Sequence, residues 1–350
     1  MAANTKRVFY VKYLADPVFA EMLGRRGDVR LDRLENATAD AEAAPILAAA
    51  HVYQIGSARD EIARRFHVDA ALIARMPDLL VVSTNGVGYD TVNLNACTDA
   101  GILVVNQAGG NREAVAEHAL GMLLALSKRI AETNQAMRRG RLVDRVAYMG
   151  HDVFGKTIGI IGLGNVGGRI AELCRGLFAM QVLACDPYLT AAVCRERGAE
   201  KVDLDELLRR SDYVSINCPL TAETRGMVGR EQLALMRPHA YLITTARGHI
   251  HDETALAEAL RSRQIAGAGL DVWATEPPPH EHPLLQFDNV LASPHTAGVT
   301  AETRFNMGKI AAEQVLDALD GKPVARKLNP QAWPAYARRF VRRFGFSPKQ

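Results

Sequence analysis

Cysteine is scarce and scattered. The five residues Cys97, Cys174, Cys185, Cys194 and Cys218 are odd in number and include no C-x-x-C pair. That argues against a disulfide framework or a structural zinc site and fits a reducing compartment. Net charge is slight too: 42 basic against 39 acidic side chains leave a formal +3. Such a balance gives no case for a nucleic-acid-binding surface, and with 48% hydrophobic residues it excludes a disordered charged chain. The longest strongly apolar stretch, near Ala119 to Leu126, is far short of a membrane span. Met1 to Tyr10 lacks the apolar run of a signal peptide. No internal repeat or low-complexity tract is present. The expectation is a cytoplasmic globular protein with neither a membrane nor a nucleic-acid partner. At 350 residues it is long enough for two domains.

What is present is a repeated alternation of strand-like and helix-like segments. Val8 to Tyr13, Val52 to Ile55, Leu79 to Ser83 and Ile102 to Val105 read as strands, with helical patterns between them, Asp60 to Phe66 included. From Arg112 to Arg129 the apolar period becomes 3.6, as in a long, largely buried helix. Arg129 to Arg145 turns polar and loop-like at its end. Six further strands are expected, at Thr157 to Ile161, Gln181 to Cys185, Tyr213 to Ile216, Ala240 to Thr244, Gly267 to Asp271 and Val290 to Ala292. The fold class is therefore α/β, a Rossmann-type doubly wound parallel sheet with a second, smaller flavodoxin-like domain. Ala301 to Leu319 should return the chain to the first domain. The expected division is 1–108, 109–298 and 299–350, the first and last segments forming one domain. Arg326 to Gln350 reads as a packed or partly ordered basic tail.

Gly162, Gly164 and Gly167 stand in G-x-G-x-x-G spacing after an expected strand and at the opening of a helix. The first permits a tight turn, the second close approach of a pyrophosphate, the third close packing of helix on strand. Amides at the helix start then face the phosphates, Asn165 and Val166 among them. Asp186, at the end of the next strand, suits the ribose hydroxyls of NAD and opposes the 2′-phosphate of NADP. Loops after later strands, Cys218-Pro219-Leu220-Thr221 and Thr245-Ala246-Arg247, fall where the nicotinamide side of such a site lies, while Thr224 suits either the pyrophosphate or a plain helix start.

Three strand-tip residues suit hydride transfer to a 2-oxo acid. Arg247 offers a planar fork for a carboxylate. His295 is a proton shuttle near neutral pH. Glu276, stiffened by Pro277-Pro278-Pro279, would raise the pKa of that imidazole. His118 lies on the buried helix face and reads as a core or interface residue. His249 and His251 read as loop-orienting. The cluster His280-Glu281-His282 lacks the HExxH spacing, so no metal site is expected.

The segments NGVGYDTVNLNACTDAGILVVN, GNREAVAEHALGMLLAL, GKTIGIIGLGNVGGRIA, CDPY, PLTAETRGMVG, TTARGHIHDETAL, GAGLDVWATEPPP and SPHTAG follow one another in order. This series resembles the D-isomer-specific 2-hydroxyacid dehydrogenase family, across nearly the whole chain and most closely from Asn85 to Gly298. The resemblance implies an NAD-dependent enzyme acting on a small 2-oxo or 2-hydroxy acid, with Arg247, Glu276 and His295 catalytic. It places Asn85, Gly86, Val87, Gly88 and Arg247 on the substrate carboxylate, and His295 against the substrate as its acid/base. Asp271 and Gly298 join the cofactor contacts. It also implies a homodimer whose contact includes the long helix, and closure of two domains that excludes water.

The chain departs from that pattern in three places. Val105-Asn106-Gln107-Ala108-Gly109 lacks the Thr-Pro usual between Asn and Gly. Gly56 stands where phosphoglycerate dehydrogenases carry a phosphate-binding arginine, with Arg59 nearby. Asn217-Cys218 replaces a histidine-containing pair. A glyoxylate- or hydroxypyruvate-like substrate is favoured over phosphoglycerate or phosphite. A dinucleotide-sensing protein of the corepressor type is the alternative of another class.

Overall fold

Continuous apolar runs, as in VYQIG and YLIT, mark strands buried on both faces, which is the pattern of a parallel sheet covered by helices. In the computed structural model these runs are fully buried. The structure describes residues 5–57, 59, 62–140 and 144–350. By its internal contacts the chain divides into two units, one formed by residues 1–111 and 300–350, the other by 112–299.

The first unit holds a five-stranded sheet. Its strands are β1 (Lys6–Val11), β2 (Val29–Leu34), β3 (Val52–Gly56), β4 (Val81–Asn85) and β5 (Leu103–Val105). They run parallel in the order β2-β1-β3-β4-β5. This is the flavodoxin-like order. Neighbouring residues of one strand enter different cores, as strand alternation requires. Phe9, Tyr53, Val82 and Val104 pack on one face, and Val8, Val52, Val81 and Leu103 on the other. The second face is covered by the helices Ala301–Leu319 and Trp333–Phe344, the latter through Tyr336 and Phe340.

The second unit holds seven parallel strands: β6 (Thr157–Ile161), β7 (Gln181–Cys185), β8 (Glu200–Lys201), β9 (Tyr213–Ile216), β10 (Tyr241–Thr244), β11 (Gly267–Leu270) and β12 (Val290–Ala292). Their order is β12-β11-β10-β9-β6-β7-β8. The chain reverses direction across the sheet at β6, so the loops after β6, β7 and β9 are neighbours. That reversal is where α/β folds bind ligands. The helix Arg112–Ser127 packs into this unit through Ala116, Ala119, Met122 and Leu123.

Several elements differ from the sequence reading. β2 was not expected: VRLDRL alternates and only Leu34 is buried, as befits an edge strand. β8 is a two-residue edge strand that makes seven where six were expected. Ile130–Arg138 is helical where the pattern turned polar, and the tail forms the helix Trp333–Phe344. Of the helix expected at 60–66, Asp60 and Glu61 lie outside the described residues, and Arg64–Phe66 forms a single 3-10 turn.

Candidate active site

The glycine turn follows β6 directly. Gly162 takes φ +89°, and a Cβ there would stand 2.8 Å from the Cys218 amide nitrogen. A Cβ on Gly167 would stand 2.1 Å from the Gly162 carbonyl oxygen, so helix and turn meet at a contact only glycine allows. Gly164 differs: a Cβ there would meet nothing within 4 Å. It is the N-cap of the helix Asn165–Phe178, and no side chain caps that end. The amides of Asn165, Val166 and Gly167 therefore open onto free space above Gly164, as a phosphate group requires.

Asp186 follows β7. Its Oδ2 accepts the Leu163 N–H at 3.0 Å and its Oδ1 the Tyr188 N–H at 3.0 Å. Each oxygen keeps a further lone pair for a ribose hydroxyl. On the other side of β6, Cys218 and Pro219 follow β9. Burial pushes the Cys218 thiol up to about 11, so it stays protonated and is no nucleophile. The Thr224 hydroxyl is engaged inside its own loop, donating to the Pro219 carbonyl at 2.7 Å and accepting the Thr221 N–H at 2.8 Å. These residues fit a dinucleotide.

The loops after β10, β11 and β12 carry the ionisable groups. Thr245 and Ala246 are half-buried, and the Arg247 Nη1 donates to the Ala246 carbonyl at 2.8 Å. His295 Nδ1 lies 2.8 Å from Glu276 Oε2. The hydrogen bond that His295 donates to Glu276 holds the imidazole above its ordinary pKa, against the effect of burial. For Glu276 burial is the largest influence and acts upward. The bond and charge of His295, the Trp273 amide and the Arg247 charge together outweigh it, and the carboxyl ends below its usual range. Arg247 thus acts electrostatically on both members of the pair.

Both loops are braced. The Trp273 N–H donates to Glu276 Oε1 at 3.0 Å, and its indole N–H donates to the Ser293 carbonyl at 3.0 Å. One tryptophan therefore ties the glutamate loop to the histidine loop. Glu253 Oε1 accepts the Ala274 N–H at 2.8 Å, and its Oε2 lies 3.3 Å from His282 Nε2. His295 itself sits at φ +56°, a left-handed conformation that L-residues rarely adopt. Asp271 holds it there. The Asp271 carbonyl accepts the His295 N–H at 2.7 Å. Its carboxylate accepts the Thr296 and Ala297 N–H groups at 2.8 and 2.9 Å and the Ser293 hydroxyl at 2.6 Å. Asp271 is fully buried, and Gly298 lies just past this clamp, half-buried.

In the first unit Asn85 ends β4 and its Oδ1 accepts from Gln54 at 2.7 Å. Gly86 takes φ +119° and donates its N–H to Gln107 Oε1 at 2.5 Å, while Asn106 Nδ2 donates to the Val87 carbonyl at 2.8 Å. Gln107, which stands in the place of the Thr-Pro pattern, thus shapes this loop together with Asn106. Val87 stands 38% exposed at its tip, with Gly88 half-buried beside it. Arg59 Nε donates to the Asp90 carbonyl at 3.2 Å.

The structure brings His295, Glu276, Asp271 and the Arg247 charge together in one unit, and the glycine turn, Asp186 and Cys218 around β6 of the same unit. Sequence reasoning missed Trp273, Glu253 and Ser293, and gave His118 and His282 no part in this arrangement. A buried indole must find an acceptor, and that was the one signal the sequence offered. His251 is buried with neither ring nitrogen hydrogen-bonded, and burial lowers it to about 4. Among the described residues no group of three or more His, Cys, Asp or Glu is arranged to hold a metal ion. No helix among them is long and apolar enough to cross a membrane.

Fold and site define a two-unit α/β protein with a dinucleotide turn and a carboxylate-backed histidine. Residues 120–297 match the model of the D-isomer specific 2-hydroxyacid dehydrogenase NAD binding domain, and the chain belongs to that family. Glyoxylate/hydroxypyruvate reductase B of Pectobacterium carotovorum subsp. carotovorum is 40% identical over 75% of this chain and 83% of its own length. D-3-phosphoglycerate dehydrogenase of Archaeoglobus fulgidus is 40% identical over 75% of this chain, which spans only 49% of that protein. The chain thus covers about half the length of the phosphoglycerate dehydrogenases it matches. The crystal structure of a glyoxylate reductase from Paecilomyes thermophila superposes with TM-score 0.82 at 26% identity, covering 93% of this chain and 99% of the other.

Proposed function

We propose that the chain interconverts a D-2-hydroxy acid and its 2-oxo acid with NAD, on a substrate of the glyoxylate or hydroxypyruvate kind. The His295–Glu276 pair within the field of Arg247 carries this reading. Bound NAD supplies or takes up the hydride at its nicotinamide. His295 delivers a proton to the oxygen at C2 in reduction and removes it in oxidation. Glu276 keeps that proton on the ring near neutral pH and fixes the tautomer. Arg247 grips the substrate carboxylate. Asp186 takes the ribose hydroxyls, and Asp271 serves the cofactor side by holding the His295 loop in place.

The reductase reading is favoured over phosphoglycerate oxidation by two observations. By the resemblance Gly56 stands where phosphoglycerate dehydrogenases carry a phosphate-binding arginine, and Arg59 is engaged with the Asp90 carbonyl. The deciding experiment is turnover of glyoxylate, hydroxypyruvate, pyruvate and 3-phosphohydroxypyruvate with NADH and NADPH. Reduction of one of the first two with NADH is expected. Absence of turnover with intact NADH binding would favour a dinucleotide-sensing protein instead.

A homodimer belongs to the same proposal. Ile130, Met137, Val146, Met149 and Phe154 are all more than half exposed within one segment after the long helix. Such a run of solvent-facing apolar side chains suits a partner subunit. Light scattering at micromolar concentration tests it. A cytoplasmic location is proposed from the five free cysteines.

A further inference from the structure

His118 projects from the helix Arg112–Ser127, an element far in sequence from the catalytic loops. Its Nε2 lies 2.9 Å from Ser293 Oγ and 3.8 Å from Asp271 Oδ1. Ser293 Oγ lies 2.6 Å from that same carboxylate oxygen. The serine hydroxyl has one proton, and at this distance from an ionised carboxylate it must point at Asp271. His118 Nε2 must then carry a proton itself, because otherwise two lone pairs would face each other across 2.9 Å.

The consequence reaches His295. Its φ of +56° is a backbone conformation L-residues rarely adopt, so it persists only where the surroundings over-determine it. The Asp271 carboxylate supplies that constraint by accepting the next two amides, Thr296 and Ala297. Ser293, at the other end of the same loop, is the third donor to this carboxylate. Asp271 sets the direction of its hydroxyl, and from outside the loop the histidine N–H occupies the oxygen's acceptor side.

We infer that His118 is a positioning residue for the acid/base loop: its Nε2–H fixes the Ser293 hydroxyl on Asp271 and so holds His295 where it meets Glu276. This rests on the dehydrogenase reading for its meaning in catalysis, though not for its geometry.

The test uses the full chain with 13C-labelled histidine, so that the His295 ring can be titrated by NMR without reference to turnover. His295→Asn assigns the resonance. The groups acting on that ring are Glu276, Arg247 and Asp271, and all are retained in the test variants. In His118→Leu and Ser293→Ala the His295 midpoint should fall toward the ordinary histidine value. kcat should drop about 10- to 100-fold while NADH affinity stays within about twofold. His118→Gln, whose amide can donate from a similar reach, should restore most of both. The inference is overturned if His118→Leu leaves the His295 midpoint and kcat unchanged, or if His118→Gln falls as far as His118→Leu. Should the leucine variant fail to fold, Ser293→Ala makes the same decision with a smaller change. Should the wild-type chain turn over no 2-oxo acid, the dehydrogenase reading fails, and the titration still decides the positioning claim.

Discussion

Gly248 and Trp273 are in backbone contact: a Cβ on Gly248 would stand 2.0 Å from the Trp273 carbonyl carbon and 2.1 Å from its oxygen. The loop that carries Arg247 therefore rests directly on the loop that carries Glu276. Gly248→Ala must push the two apart. Overpacking of this kind costs about 1–3 kcal/mol. The expected outcome is a lower melting temperature together with a loss of turnover larger than the loss of stability would produce. Thermal melts and initial rates on the same preparation check it, and an alanine variant with wild-type rate and stability would show that the loops are not coupled here.

The glycine turn, Asp186 and the three ionisable strand-tip residues were legible in the sequence because each is a local signal: a spacing, a residue type at the end of an apolar run. The contacts that hold them were not. Trp273 to Ser293, Glu253 to Ala274 and His118 to Ser293 join loops that follow different strands, and no spacing encodes such a meeting. His118 read as a core or interface residue because it lies on the apolar face of its helix, and only the fold shows what stands opposite. β2 escaped notice for a related reason, since an edge strand needs no continuous apolar run and VRLDRL has none.

The opposite shifts of His295 and Glu276 set a pH profile. His295 is raised, so the acid needed for reduction persists above the ordinary histidine range. Reductive kcat/KM should be flat at low pH and fall as pH rises through the His295 value, and oxidation should show the reverse. Glu276→Gln removes the largest cause of the shift and should move the break to lower pH. The pair also contributes stability between its two folded values. That contribution is lost on the basic side as pH rises through the raised His295 value, and on the acid side as pH falls through the lowered Glu276 value. Side-chain exposures of 38% and 35% keep the stability effect small beside the kinetic one. A break in the rate profile that stays put in Glu276→Gln would contradict the assignment.

Asp186 accepts two backbone amides, from Leu163 and Tyr188, and so shapes its loop as well as being the carboxylate proposed for the ribose. Asp186→Asn keeps one acceptor oxygen and removes the charge. A charge-assisted hydrogen bond exceeds a neutral one by about 1 kcal/mol or somewhat more, so preference for NADH over NADPH should fall roughly tenfold. Fluorescence titration with each cofactor measures this directly. An unaltered preference would place the selectivity elsewhere.

His51 gives the first unit a pH limit of its own. The ring is fully buried, with Nδ1 2.8 Å from the Arg7 amide nitrogen and Nε2 2.6 Å from Arg343 Nε. Both neighbours are donors and the neutral ring has one lone pair between them, so a second proton would leave it none to offer. Burial first, and then the Arg343 charge, lower its pKa from 6.5 to about 4. A lowered folded pKa means the folded state binds fewer protons than the unfolded one. Its contribution to stability is complete above the unfolded value and is lost as pH falls through the folded value. Arg343 belongs to the helix Trp333–Phe344, whose Phe344 ring lies 5.3 Å from the imidazole. Acidification from pH 6.5 toward 4 should therefore loosen this helix before the second unit melts. Hydrogen exchange across that range, followed peptide by peptide, should show protection lost first at Trp333–Phe344. Uniform loss across both units would mean that His51 is not the group that titrates.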